Sequence, residues 1–232
     1  MNKESLVLQL NKLGVSDQSK IDRLEDFMMA TLDANKSFNL TAIKDEEKFR
    51  ELMILDSAYV LKYGNFENKK VIDIGTGAGF PGMVLATLSN GEFTLLDSTK
   101  KKVDFYSNYS AKNGYSNVIP VYNRAEEYAK NHREQYDFAI ARAVSELNIL
   151  LELVLPLLKV NGIFIAMKGS KGLEELEKSQ NALKKLGAVV EQIDEYYLPE
   201  SNEKRINIII KKIERTSRSY PREYKDIVKK PL

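Results

Sequence analysis

The chain has no cysteine. That absence excludes disulfide frameworks, iron–sulfur clusters, zinc ribbons, radical chemistry on a cysteine triplet and any thiol nucleophile. Histidine is almost as scarce. His132 stands alone, so a histidine-built metal centre is excluded and no metal is expected. No stretch approaches the ~18 uncharged apolar residues of a membrane span, and the first residues carry no basic-then-apolar leader. A soluble cytoplasmic protein with no membrane partner is therefore expected. The rest is ordinary for a globular chain of 232 residues, with 43% hydrophobic and 29% charged. Such a chain buries a core without staples, as one large domain or one domain with an appendage.

Charge is uneven. The formal net charge is +2, yet from Lys211 to Leu232 eight Lys/Arg face three Asp/Glu, which leaves the remainder at −3. A basic tail on a nearly neutral body points to a polyanionic partner.

The first ~65 residues read as helical. Leu6, Leu10 and Leu13 recur at helical spacing, as do Ile21, Leu24, Phe27, Met28 and Leu32, with Ser16 or Asp17 available as a cap. Asn39-Leu40-Thr41 interrupts, and a third amphipathic segment follows over 46–63. Met53 and the Met28-Met29 pair read as core. From Val71 the texture changes. Short apolar runs at 71–74, 93–96, 118–121, 138–141 and 163–167 alternate with amphipathic stretches at 80–89, 99–113, 146–158 and 172–186. That alternation predicts a parallel sheet with helices on both faces. Two more strand-like runs, 188–197 and 205–213, are separated by too few residues for a helix, so they pair as an antiparallel hairpin. The expected architecture is α/β: seven strands, mostly parallel, the last inserted antiparallel. An N-terminal helical extension (1–65) precedes this domain (66–213), and a basic tail (214–232) follows it.

Asp73-Ile74-Gly75-Thr76-Gly77-Ala78-Gly79-Phe80-Pro81-Gly82 joins the first strand to the following helix. Glycines allow positive φ and close ligand approach, and the helix start offers unpaired N–H groups. Four glycines in eight residues at such a junction mark a nucleotide-like cofactor site. Gly77-x-Gly79-x-x-Gly82 also satisfies the dinucleotide pattern, and Asp97 at the end of the second strand suits ribose hydroxyls with either cofactor. Two features favour S-adenosylmethionine over NAD. Asp73 lies inside the first strand, where a carboxylate can anchor the loop or meet a methionine ammonium group. The chain also leaves no room for a separate substrate domain. An NAD-linked oxidoreductase on the same glycines is the alternative, weakened by the lack of a Tyr-x-x-x-Lys pair.

Arg142, Lys168 and Arg124 follow or end strands four, five and three, so these cations are expected to face the cleft. Without cysteine, methylation of pyrimidine C5 through a thiol adduct is excluded. Ala141-Arg142-Ala143-Val144 replaces the Asn/Asp-Pro-Pro-aromatic turn suited to exocyclic amines.

Several motifs stand in order: Asn39-Leu40-Thr41, Leu55-Asp56-Ser57, the glycine loop, Leu95-Leu96-Asp97-Ser98 with Lys101-Lys102, Ala141-Arg142-Ala143, and Met167-Lys168-Gly169. With them the chain resembles, over nearly its whole length, the bacterial small-subunit ribosomal RNA guanine-N7 methyltransferase family, also called the RsmG or GidB family. Tyr220-Pro221-Arg222 and Lys229-Lys230-Pro231-Leu232 are similar to its tail. The resemblance implies a class I methyltransferase (Rossmann-like) fold and S-adenosyl-L-methionine as donor. It implies 16S rRNA in the small ribosomal subunit as partner, methylated at N7 of guanine 527 in the 530 loop. By the same resemblance, cofactor contacts fall on Gly75, Phe80, Ala125-Glu126 and Arg142, beside Asp73, Gly77, Gly79 and Asp97 from the loop argument. Arg142, Asn39 and Lys168 are the candidate catalytic groups. Asn39, between two helical segments, either caps the second or reaches the guanine edge. Arg124, Lys168, Arg215, Arg218 and Arg222 are the candidate RNA contacts, with Tyr220 and Tyr224 interleaved for stacking. Met53 departs from a family position usually held by His, and Lys225 and Ile227 from a Gly and a Pro. A monomer is expected. A non-catalytic RNA-binding assembly factor is the remaining alternative.

Overall fold

Each apolar run after residue 70 forms a strand in the computed structural model, which describes residues 1–232. The strands are β1 (Lys70–Ile74), β2 (Glu92–Asp97), β3 (Val118–Tyr122), β4 (Tyr136–Arg142), β5 (Leu158–Lys168), β6 (Ala188–Tyr197) and β7 (Lys204–Lys212). They form one sheet in the order β3-β2-β1-β4-β5-β7-β6. Pairings from β3 through β5 are parallel, and β7 lies antiparallel between β5 and β6. Helices cover both faces of the central strands, so Val71, Ile72, Phe93 and Leu95 are all buried. That is why these strands read as continuous apolar runs instead of alternating ones. The order reverses between β1 and β4, the point in an open α/β sheet where ligands bind beyond the strand ends.

The helices are α1 (Lys3–Lys12), α2 (Gln18–Phe38), α3 (Glu46–Phe49), α4 (Asp56–Ala58), α5 (Gly82–Leu88), α6 (Lys100–Lys112), α7 (Ala125–Asn131), α8 (Leu147–Val154), α9 (Gly172–Lys178), α10 (Gln180–Leu186) and α11 (Tyr224–Lys229). Asp17 caps α2 by accepting from the Ser19 N–H at 2.9 Å. The buried stripe of α2, Ile21, Leu24, Phe27 and Met28, shares one core with Met83 and Val84 of α5, Phe93 of β2 and Tyr106 of α6. Phe27 stacks on Phe80 with centroids 5.0 Å apart. The N-terminal helices thus form the outer layer on one face of the sheet, while α7 to α10 cover the other.

Four local features differ from the sequence expectation. Residues 46–63 are not one helix: a π-turn (Arg50–Leu55) separates α3 from α4, and a 3₁₀ turn (Tyr59–Tyr63) follows. A short helix, α7, occupies the β3–β4 connection, where a largely polar surface hides Tyr128 and Ala129. The 172–186 stretch breaks at Ser179, whose hydroxyl donates to the Glu175 carbonyl at 2.6 Å. Met28 is fully buried, but Met29 is exposed on the other side of α2, and Met53 is only partly buried. The tail is folded. Ile227 on α11 is fully buried at a position where proline would deny the helix an N–H. No helix is long and apolar enough to cross a membrane.

Candidate active site

The loop after β1 is built to hold its own backbone open. Gly75 (φ +68°) and Gly77 (φ +62°) occupy the left-handed region. A Cβ on Gly75 would lie 2.6 Å from Val144 Cγ2, so only glycine fits there. At Gly82 a Cβ would meet Asp73 Oδ2 at 2.8 Å, the approach that lets α5 start directly above β1.

Two carboxylates fix the loop. Asp97 Oδ2 accepts from the Gly77 N–H and Oδ1 from the Thr99 N–H, both at 2.8 Å. A carboxylate offers about four acceptor positions, so two remain. Asp73 Oδ2 accepts from the Thr76 hydroxyl (2.5 Å) and the Gly82 N–H (2.8 Å), while its Oδ1 is buried with no partner. Burial pushes the Asp73 carboxyl up to about 6, against those two hydrogen bonds and the field of Arg142.

Around this loop lie two compartments that meet at Gly75, Lys102 and Val144. The smaller, about 240 Å³, is bounded by Asp97, Ser98, Arg124, Ala125, Glu126 and Tyr224. Arg124 Nε donates to the buried Glu126 carboxylate, and its guanidinium lies 4.5 Å from the Tyr224 ring centre. The larger, about 690 Å³, lies among Gly75, Ala78, Phe80, Arg142, Lys168 and Arg205, with Leu40 and Thr41 on its rim.

The cations of the larger compartment are held from behind. Arg142 donates through Nη1 to the Leu52 carbonyl (2.9 Å) and through Nη2 to Met53 Sδ (3.1 Å), with Asp56 Oδ2 3.5 Å away. Leu52 and Met53 belong to the π-turn, a device that shifts the helical ladder and is frequent at functional sites. Asp56, almost fully buried, also takes Arg205 Nε at 3.3 Å and the Tyr196 hydroxyl at 3.0 Å. Lys168 donates to the Ser145 carbonyl (2.7 Å) and pairs with Glu175 (2.8 Å), which uses two of its three donors.

The structure therefore brings Gly75, Gly77, Phe80, Arg142 and Lys168 to one compartment, and Asp97, Arg124, Ala125 and Glu126 to its neighbour. Asp73 and Gly79 lie beneath the loop and do not line either space. Asn39 stands outside as the left-handed C-cap of α2 (φ 50°), exposed beside Leu40. Arg215 and Arg218 sit at the opposite end of the sheet. Arg222 does not face solvent as a phosphate contact would. It forms a two-pronged pair with the buried Glu152, through Nε at 2.8 Å and Nη2 at 2.6 Å. Four cleft residues escaped sequence reasoning. Asp56 and Lys102 stand in motifs that assign them no role, and the spacing of Met53 is that of a core residue. Arg205, at the start of the final hairpin strand, carries no local signal.

Residues 20–216 match the family model described as GidB, rRNA small subunit methyltransferase G. A ribosomal RNA small subunit methyltransferase G of Fusobacterium nucleatum is 43% identical over 225 residues, covering 96% of this chain and 97% of its own. The protein of the same name from Caldicellulosiruptor bescii is 43% identical over 213 residues, with 89% and 90% covered. Among solved structures, a SAM-dependent methyltransferase from Aquifex aeolicus superposes with a TM-score of 0.56 at 21% identity, covering 73% of this chain and 94% of that one. TYW2 from M. jannaschii, solved in complex with AdoMet, gives 0.54 at 17% identity, with 65% and 72% covered. These two likenesses concern the fold, a Rossmann-like methyltransferase sheet. On the family match and these relatives, the chain belongs to the GidB family of rRNA small subunit methyltransferases.

Proposed function

We propose that this chain transfers a methyl group from S-adenosylmethionine to N7 of a guanine in small-subunit ribosomal RNA, in the 530 loop of 16S rRNA and in the cytoplasm. The observation that carries this reading is the two-part cleft hinged at Gly75. One part has a nucleoside's complement, and the other has cations backed by a shared carboxylate.

The residues present fit the donor. Asp97 keeps two acceptor positions for ribose hydroxyls. Ala125 and Glu126, at the start of α7, bound the space for an adenine. Asp73, beneath the loop, holds Thr76 and Gly82 in place, and its buried, unpartnered Oδ1 puts an acceptor below the space where the donor's ammonium group would rest. Gly75 and Gly77 leave room beside the loop, and Phe80 closes its floor. When bound, the donor supplies an electrophilic methyl carbon.

Guanine N7 presents a lone pair and loses no proton on methylation, so no general base is required. The cleft agrees, since it contains cations and carboxylates already paired and no histidine. The protein's part is placement, which is worth several powers of ten when geometry is held. Arg142 and Arg205 can donate to guanine O6 while leaving N7 open. Their common partner Asp56 keeps the positive charge from building up where a sulfonium must sit. Lys168 orients the Ser145 turn and retains one donor for the substrate. Asn39 stands where RNA leaving the cleft would pass, and Arg124 stands at the mouth of the nucleoside compartment.

The test is methyl transfer from labelled donor to small-subunit RNA, mapped by chemical cleavage at N7-methylguanine. One guanine should be labelled. Gly77→Asp, where no atom lies within 4 Å of the added Cβ, should abolish donor binding in a calorimetric titration while the chain stays folded. Label appearing only on protein or small molecules would remove the acceptor assignment, and RNA binding without turnover would leave an assembly factor.

A further inference from the structure

The strand ends opposite the glycine loop carry a second cleft of about 790 Å³, with only one hydrophobic residue in its lining. Four cations, Lys130, Arg133, Arg215 and Arg218, line it with one carboxylate, Glu134, although Lys130 is already paired with Glu127 (2.8 Å) and Glu223 (3.1 Å). Arg133 is half-buried and spends its guanidinium on neutral groups. It donates to the carbonyls of Thr216 (2.7 Å), Ser217 (3.2 Å) and Tyr220. Residues 216–220 are thereby folded around a positive charge that no acid neutralises. Glu134 is itself contested, lying 3.3 Å from the buried Lys212 and 3.7 Å from Arg215. The Arg215 side chain is 85% exposed, and Arg218 is exposed with no ion-pair partner. Two arginines are thus presented to solvent from a loop that is rigidly braced, an arrangement suited to polyanions.

The cleft has a fixed relation to the site. β4 begins at Tyr136 beside Gln135 of this cleft and ends at Arg142, about 20 Å away at the usual rise per strand residue. The tail bridges the two. After leaving the distal cleft it forms α11, and Tyr224 then packs under Arg124 at the mouth of the nucleoside compartment. A substrate lying along this flank meets Arg215 and Arg218 at one end and Arg124 at the other. A protein partner's hot spot would need apolar pockets, which this lining lacks.

We propose that the distal cleft docks the phosphate backbone of RNA flanking the target guanine, with Arg215 and Arg218 as the phosphate contacts and Arg133 as the brace that presents them. The proposal rests on the reading of the substrate as small-subunit RNA, and it adds a second point of attachment that the cleft at the glycine loop does not contain.

The experiment compares methylation of intact 16S rRNA with that of a short hairpin bearing only the target loop, for the unaltered chain and for the R215A/R218A double variant. Both are measured across a range of KCl concentrations. The variant should raise KM for the long RNA roughly tenfold, and it should lower the log–log salt slope by about 1.4 to 1.8, the value of two lost phosphate contacts. KM for the hairpin, donor affinity and thermal midpoint should not move. An unchanged KM and slope on the long RNA would overturn the proposal. A third arm uses assembled small subunits, and an effect of the variant there but not on naked 16S rRNA would also overturn it, since the partner would then be a ribosomal protein. Competition by inorganic tripolyphosphate without any effect of the variant on RNA would assign the cleft to a small anion instead. If the unaltered chain methylates neither RNA nor assembled small subunits, the functional reading fails and the docking proposal falls with it.

Discussion

Arg222 in the tail and Arg142 in the cleft both meet buried carboxylates, and the two regions use the pairing differently. In the tail, Arg222 surrounds Glu152 with its backbone N–H (2.9 Å), Nε (2.8 Å) and Nη2 (2.6 Å), and gives Nη1 to the Lys230 carbonyl (3.1 Å). Every nitrogen of the guanidinium is occupied, so the residue is a clamp that folds the chain's end onto α8. In the cleft, Arg142 stands 3.5 Å from Asp56, outside hydrogen-bond reach, and is steadied by a carbonyl and a thioether. Asp56 is shared with Arg205 and Tyr196. Arg142 uses only Nη1 and Nη2, so its Nε is still without a partner. Saturation, more than the presence of an ion pair, separates a structural arginine from an available one.

The largest effect expected from this contrast is on stability in the tail. Arg222→Ala leaves Glu152 buried and unpaired, which costs about 3 kcal/mol. Urea unfolding should show that loss, while methyl transfer per folded molecule stays near the unaltered rate. A loss below about 1 kcal/mol would show that the clamp contributes little beyond a surface pair.

Asp73 sharpens the comparison from the other side, because this buried carboxylate has no guanidinium in contact. Its folded-state value of about 6 lies above the ordinary 3.8. Between those values the folded chain holds a proton that the unfolded chain has released, so stability falls as pH rises from about 4 through 6. The shift corresponds to about 3 kcal/mol across the window. Asp73→Asn keeps an oxygen for Gly82 and removes the titration, so its pH–stability profile should be flatter there by that amount. A parallel profile would mean that Asp73 does not titrate in this window.

The smallest stability effect belongs to the cleft arginine. Arg142→Lys retains the charge and loses the fork. Unfolding free energy should change by no more than about 1 kcal/mol, because Arg205 and Tyr196 still satisfy Asp56. The ratio kcat/KM should fall about 100-fold through lost positioning. Equal losses in stability and activity would make Arg142 a second clamp and erase the distinction between the two regions.

Much of the fold was legible because its signals are local. Parallel strands covered on both faces read as short apolar runs, and the seven-residue gap at 198–204 left no option but a hairpin. The glycine loop announced itself by spacing at a strand–helix junction. The π-turn at 50–55, by contrast, has the same apolar periodicity as a plain helix, and α7 is too short and polar to stand out. The cleft was legible where a motif carried it, as at Gly75 and Asp97, and illegible at Arg205 and Met53, whose partners lie on remote segments.

Chain order and residue type were enough to specify a parallel sheet, a glycine loop at its switch point and a surplus of cations at one terminus, since each depends on neighbours within a few residues. Which of the chain's cations is spent and which is free was settled by folding alone. Arg222 meets Glu152 across 70 residues and Arg142 meets Met53 across 89. Whether a charge is neutralised depends on the carboxylates and carbonyls that packing carries to it, and those distances in the chain leave no trace in its local pattern.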